Sequence, residues 1–275
     1  MNWKILKHFS TKNQFGFTFA DVTTEFPEKN PAYLARILAD MVKEGMLYKI
    51  YRNHYHVIPL TADPKTYLPG GLQLAKYLML NKDYYLGYAS AMKVHRLTVQ
   101  RESVADPSEA REYVVTKKQM NPAIRSFRKI TVQFIQHDAT RFFGFNSMWI
   151  NQLEQAMVSD LEKTIVDMAT RPQFCGGIME VANALFRAKD RTDHDKLNYY
   201  FARNKNKSAK KRFLFLTDLM GLEWTAEHKR MMKELGPGIS LLDPSAPDQG
   251  RKNSQFGLKM NVDPIGIKEI VLSSV

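Results

Sequence analysis

Apolar residues recur along this chain in two periods, and the change from one to the other marks out its first elements. Leu34, Ile37, Leu38, Met41 and Val42 stand at i, i+3, i+4, i+7 and i+8, one buried stripe of a helix. Tyr33, Arg36, Asp40 and Lys43 fall on the opposite face. Asn30-Pro31 opens this helix as cap and first helical residue, and Gly45 follows its end. A shorter helix begins at Phe19-Ala20-Asp21-Val22 and stops before Pro27, so Phe26-Pro27-Glu28-Lys29 reads as the turn between the two. The period then drops to that of strands. Residues 47–51 and 55–58 are β-prone runs joined by Arg52-Asn53-His54, a short hairpin with a polar, cationic tip.

Helix, turn, helix and hairpin in that order give residues 1–62 the layout of a winged helix-turn-helix, a unit that lays its second helix in a DNA major groove. Lys29, Asn30, Tyr33 and Arg36 are then the groove candidates. Lys49, Arg52, Asn53 and His54 are the candidates for the phosphate backbone or the minor groove. The same unit also serves in protein docking, and a cationic tip is commonly only solvated. His54 and His56, two apart with no cysteine nearby, make a poor metal-ligand pattern and read as strand histidines.

Residues 63–71 are rich in Pro and Gly and lack periodicity, which makes them a linker. Residues 72–275 read as a larger mixed α+β domain, so the whole chain is expected to be α+β. Helices are expected over 72–80, 84–94, 178–186, 195–203, 213–220 and 226–235, and strands at 113–115 and 130–135. Ser159-Asp160-Leu161-Glu162 has the spacing of a capping box, with Ser159 as the cap and Leu161, Ile165 and Met168 as the buried face. Arg203, Lys205, Lys207, Lys210, Lys211 and Arg212 form a dense cation run. It reads as a solvated helix face or loop, or else as an anionic-partner patch. Short strands are expected at 239–242, 256–262 and 267–272.

Charge changes the picture of partners. The net charge is +12, and residues 64–150 carry 13 Lys and Arg against 6 Asp and Glu, so most of the excess lies outside the candidate DNA reader. Such a balance fits an anionic partner or a solubility device. Lys117, Lys118, Arg125, Arg128 and Lys129 are the candidates for a basic partner surface. The single cysteine, Cys175, excludes an internal disulfide framework and a cysteine zinc cluster, and reads as a packing residue before a turn. No run approaches a membrane span and the start lacks a signal-peptide core, so a cytoplasmic protein is expected. A Gly-rich phosphate loop, a His-Glu-x-x-His helix and a Gly-x-Ser-x-Gly elbow are all missing from the sequence, so neither an enzyme nor a cofactor or metal is expected.

The segment Tyr84-Tyr85-Leu86-Gly87-Tyr88-Ala89-Ser90-Ala91, with His95, Leu97-Thr98 and Gln100, resembles the AbiEi antitoxin family of abortive-infection, type IV toxin–antitoxin regulators. Residues 158–167, followed by Arg171-Pro172 and Cys175-Gly176-Gly177, strengthen the resemblance, which spans residues 1 to about 220. It implies an N-terminal domain that binds operator DNA and represses its own operon, and a larger domain that counteracts a nucleotidyltransferase-like toxin. A solitary regulator, a protein-docking module and, less readily, a nucleic-acid-processing enzyme are the alternatives.

Overall fold

The computed structural model describes residues 1–98 and 110–273. Gln100, one of the residues that carry the resemblance, lies outside the described residues. The N-terminal unit runs α1 (Asn2–Thr11), β1 (Gly16–Thr18), α2 (Phe19–Glu25), α3 (Pro31–Lys43), β2 (Leu47–Tyr51) and β3 (His54–Val57). Its strands form an antiparallel three-stranded sheet in the order β1-β3-β2. Thr18 and Asp21 cap α2 reciprocally, each side chain taking a backbone N–H of the other. At α3, the Asn30 side chain accepts from the Ala32 N–H at 2.8 Å, Pro31 occupies the first turn, and Gly45 leaves at φ +72°. Leu34, Leu38 and Met41 are buried against Phe9, Phe17 and Val22, while Ile37 and Val42 flank this core.

The larger domain is mixed α+β. Its first half is α4 (Gly71–Tyr77), β4 (Tyr84–Leu86), α5 (Tyr88–Val94), β5 (Ala110–Thr116), β6 (Ile124–Phe127), β7 (Ile130–Gln136), β8 (Phe145–Trp149) and β9 (Gln155–Ser159). These strands build one six-stranded sheet in the order β6-β7-β5-β4-β9-β8. A helical layer follows: α6 (Leu161–Thr170), α7 (Ile178–Ala188), α8 (His194–Asn204), α9 (Lys207–Leu219) and α10 (Ala226–Lys233). The chain closes with β10 (Ser240–Leu241), β11 (Arg251–Asn253), β12 (Leu258–Met260) and α11 (Pro264–Ser273). Cys175 is buried in the main core, in keeping with a packing role.

Several expectations are corrected. Residues 84–86 are a strand, not helix: Tyr85 pairs with Val115 in β5 and Leu86 with Val158 in β9. Aromatic and branched residues suit a sheet interior, and Gly87 then resets the backbone for α5. The cap of α6 is Asp160, which accepts from the Lys163 N–H at 2.8 Å, because β9 runs on through Ser159. Ser159 Oγ instead meets Thr164 Oγ1 at 2.8 Å, and Glu162 accepts from the Asp193 N–H at 3.0 Å. The helix has no solvated face either, since Lys163 and Asp167 are buried beside Ile165 and pair with each other.

The cation run is neither loop nor solvated face at its end. Lys211 and Arg212 are buried on α9. Lys211 donates to the Gly238 carbonyl, and Arg212 donates to the carbonyls of Leu241 (3.1 Å) and Ala169 (3.0 Å). Backbone carbonyls left open at the ends of helices and strands draw in multi-donor cations. Residues 267–272 belong to α11, not to a strand. Asp263 caps that helix, accepting from the Ile265 N–H at 3.1 Å, and Pro264 opens it.

The two units meet at a built joint. Ile50 of β2 packs in one cluster with Leu74, Ala75 and Tyr77 of α4. The Tyr77 ring lies where a Cβ on Gly16 would stand, which is why β1 begins with glycine. His56 is buried between Tyr67 and Tyr77, with ring centroids 5.8 and 5.0 Å away, and the Tyr67 hydroxyl lies 3.2 Å from its Nδ1. Buried Glu154 accepts from Tyr77, Gln73 and, at 3.2 Å, Lys76. The 63–71 connector has no regular structure before Gly71, yet it is fastened down. Arg128 donates to the carbonyls of Thr66 (3.1 Å) and Lys65 (3.2 Å).

Candidate nucleic-acid interface

Along α3, the residues between the buried stripe are exposed: Ala32, Tyr33, Ala35, Arg36, Ala39 and Lys43. Helix α3 packs on α1, α2 and β2 through its other side. Its outer face is therefore open from the leading end onward, and only Tyr33 and Arg36 project far from the first turns. The Arg36 guanidinium lies 5.8 Å from the Tyr33 ring centroid, near enough to hold the two side chains over one patch. The alanines escaped the reading from sequence because they carry no donor or acceptor. Their smallness leaves room for another surface to approach the backbone.

The other expected groove residues divide. Asn30 is at the leading end and exposed, but its side-chain oxygen is committed to the Ala32 N–H, so its first role is to cap. Lys29 is exposed beside Glu28, 4.0 Å away, a contact too long and too solvated to hold it.

At the hairpin the connection is Arg52-Asn53 alone. Asn53 adopts φ +60°, a left-handed turn conformation that Asn tolerates. Its carbonyl accepts from the Phe19 N–H at 2.9 Å, tying the tip to the start of α2. His54 is corrected from tip to strand: it pairs with Thr18 of β1, and its Nδ1 lies 2.7 Å from the Arg52 carbonyl. Arg52 and Lys49 are both exposed. His56 faces the joint, where burial first and the charge of Lys76 second hold its pKa at about 4. No group of three or more His, Cys, Asp or Glu side chains suited to a metal occurs among the described residues.

The mid-chain cations do not form the single surface expected of them. Arg128 is spent on the connector carbonyls. Arg125 lies over the Tyr51 ring at 4.2 Å and within 5.5 Å of the Phe134 ring, so it bridges the hairpin and the six-stranded sheet. Lys117 pairs with Asp83 at 2.9 Å. Lys118 and Lys129 stay exposed, Lys129 at the turn between β6 and β7. Sequence reasoning missed Tyr51 as the seat of Arg125; an exposed aromatic at a strand end was the one signal for it.

No protein-family model matches the chain, and no curated protein matches it. Among solved structures it is similar to the RV2827C protein from Mycobacterium tuberculosis, at 13% identity and a TM-score of 0.66. The match covers 97% of this chain and 93% of that one, so both units share a fold with that protein. At this identity the likeness bears on fold alone.

Proposed function

We propose that this chain is a DNA-binding transcriptional regulator of antitoxin type, with residues 1–62 acting as a winged helix-turn-helix. The observation that carries the reading is the open outer face of α3, with Tyr33 and Arg36 exposed in its first turns, together with the exposed Arg52 of the hairpin. In such a unit the second helix enters the major groove and the hairpin lies along the phosphates. Arg36 is then the base reader, with Tyr33 packed beside it. Lys29, Lys49 and Arg52 grip the backbone, and Asn30 sets the end of the helix. The element order α1-β1-α2-α3-β2-β3 and the antiparallel sheet support this assignment.

The antitoxin part rests on the resemblance through residues 84–91 and 158–177. On that reading the larger domain counteracts a nucleotidyltransferase-like toxin and the protein represses its own operon. Binding of the full chain to the DNA upstream of its own gene, titrated by fluorescence anisotropy across a salt series, tests the DNA reading. The logarithm of the binding constant should fall linearly with that of salt, by roughly 0.9 for each phosphate neutralised. No binding at low salt sinks it and favours the docking alternative. Rescue of growth when the chain is co-expressed with an adjacent nucleotidyltransferase-like gene tests the antitoxin reading separately.

A further inference from the structure

Strand β8 ends the six-stranded sheet, and no strand among the described residues pairs with its outer side. An open edge is a template for further pairing, and proteins blunt it with charge, proline, shortness or burial. The other edges of this chain are blunted in those ways. Lys49 lies on β2, Arg125 on β6, and Arg251 and Lys252 on β11, while β10 has two residues and β1 is buried. On β8 no such device is found. Phe145-Asn146-Ser147-Met148-Trp149 carries neither charge nor proline, and the uncharged run extends to Leu153. Asn146, Ser147, Trp149 and Leu153 are exposed, Trp149 by 61%.

The register with β9 fixes which backbone groups face outward. The Ile150 N–H donates to the Glu154 carbonyl at 2.9 Å, and the Gly144 carbonyl accepts from the Asp160 N–H at 2.9 Å. Both pairs continue the β8–β9 register, so Gly144, Asn146, Met148 and Ile150 turn their N–H and C=O groups toward β9. Phe145, Ser147 and Trp149 therefore point theirs away from the sheet. Three donors and three acceptors, evenly spaced, stand on the open side. The side chains of these three residues share one face of the sheet, where Phe145 stacks on Tyr85 with ring centroids 5.0 Å apart.

We infer that β8 pairs antiparallel with β8 of a second copy of this chain, about a two-fold axis at Ser147. This register matches itself. Ser147 opposes its own counterpart, Phe145 opposes the second copy's Trp149, and every outward N–H of each chain meets an outward carbonyl. Trp149 gains an aromatic neighbour in place of water. A chain of net charge +12 repels its copies over much of its surface, and this run brings no cation to the contact. A strand of another protein would meet the same backbone groups but has no cause to present them in this register. The inference does not rest on the DNA reading, since β8 lies in the larger domain.

The contact is small beside the ~1,600 Å2 of a standard interface, so a dissociation constant on the order of 100 μM is expected. Sedimentation velocity of the full chain from about 10 to 500 μM should show monomer passing to dimer. Ser147→Pro removes an outward N–H, leaves the β8–β9 hydrogen bonds in place, and should weaken dimerisation by more than about tenfold. Ser147→Lys leaves the backbone alone, sets two like charges across the axis and should do the same, with partial recovery at high salt. Ser147→Cys should form a disulfide-linked dimer under mild oxidation, whereas Gln152→Cys, exposed but distant from the axis, should not. Cys175 is buried and stays silent. A chain that is monomeric throughout the range overturns the proposal and leaves the edge to a strand of another protein. A dimer that both Ser147→Pro and Ser147→Lys leave intact, or that cross-links equally well through Gln152→Cys, also overturns it.

Discussion

The N-terminal unit and the larger domain handle charged side chains in opposite ways. On α3 and the hairpin, Arg36, Lys43, Lys49 and Arg52 are exposed and make no tight ion pair, and no charged pair is buried beneath them. In the larger domain several charges are inside. Lys163 pairs with Asp167, Lys93 with Glu112 at 2.7 Å, Lys76 with Glu154 at 3.2 Å, and the carboxylate of each pair is almost completely buried. An uncommitted surface charge contributes little to stability and is free to meet a partner; a buried pair fixes structure and is free to meet nothing. On the proposed reading, the difference separates the part that would contact DNA from the part that holds it in place.

Breaking a buried pair should give the largest effect. Lys163→Met leaves Asp167 buried without its cation and should cost about 3–5 kcal/mol by urea unfolding, whereas Lys163→Met with Asp167→Leu should recover most of that. A loss below about 1 kcal/mol for the single variant would mean that this pair is solvated, and the contrast between the two regions would lose its clearest case.

Acid should act on the larger domain and the joint rather than on the outer face of α3. His137 is buried between the hydroxyls of Tyr85 (2.9 Å) and Tyr88 (2.8 Å), and burial holds its pKa at about 4, as it does for His56 in the joint. In the unfolded chain both titrate near 6.5, so as pH falls from there the unfolded state takes up protons that the folded state refuses. Stability is then complete above about pH 6.5 and declines toward pH 4, by up to about 3 kcal/mol for each histidine. Urea midpoints measured across that window check it, and a flat profile from pH 7 to about 4.5 rules it out.

Arg36→Ala should do the reverse of Lys163→Met. Operator affinity should drop by about 1–3 kcal/mol, with sequence preference relaxed, and the urea midpoint should stay within about 0.5 kcal/mol of wild type. Asn30→Ala straddles the two classes because its oxygen caps α3, and should cost about 0.5–2 kcal/mol of stability before any effect on DNA is counted. Equal operator affinity of wild type and Arg36→Ala takes Arg36 off the reading face.

What could be read from the sequence follows the same divide. The α3 stripe and the Asn30-Pro31 cap are local signals, written within one helix, and the fold keeps them as read. The strand at residues 84–86 is not local. Tyr84-Tyr85-Leu86 suits helix or strand, and pairing with Val115 and Val158, far along the chain, decides. Lys211 and Arg212 look like surface cations until α9 is packed and the carbonyls of Gly238 and Leu241 come within reach. Of the candidate site, the residue types and positions on α3 were legible. The contacts of Arg125 and Arg128 with Tyr51 and the connector carbonyls were not legible, because they form only in three dimensions.

Arg125 is where the comparison can be sharpened most finely, since it touches both regions. Its guanidinium covers the Tyr51 ring from the side of the six-stranded sheet, and its Nε is buried without a partner. If it belongs to the joint, Arg125→Ala should cost about 1 kcal/mol of stability through the lost cation–π contact and leave the salt slope of operator binding unchanged. If it belongs to the reading surface, the slope should fall by about one phosphate contact and stability should hardly move. The buried Nε argues for the joint: a group pinned between two rings is already ordered, and turning it toward a phosphate would give up both ring contacts for one solvated one.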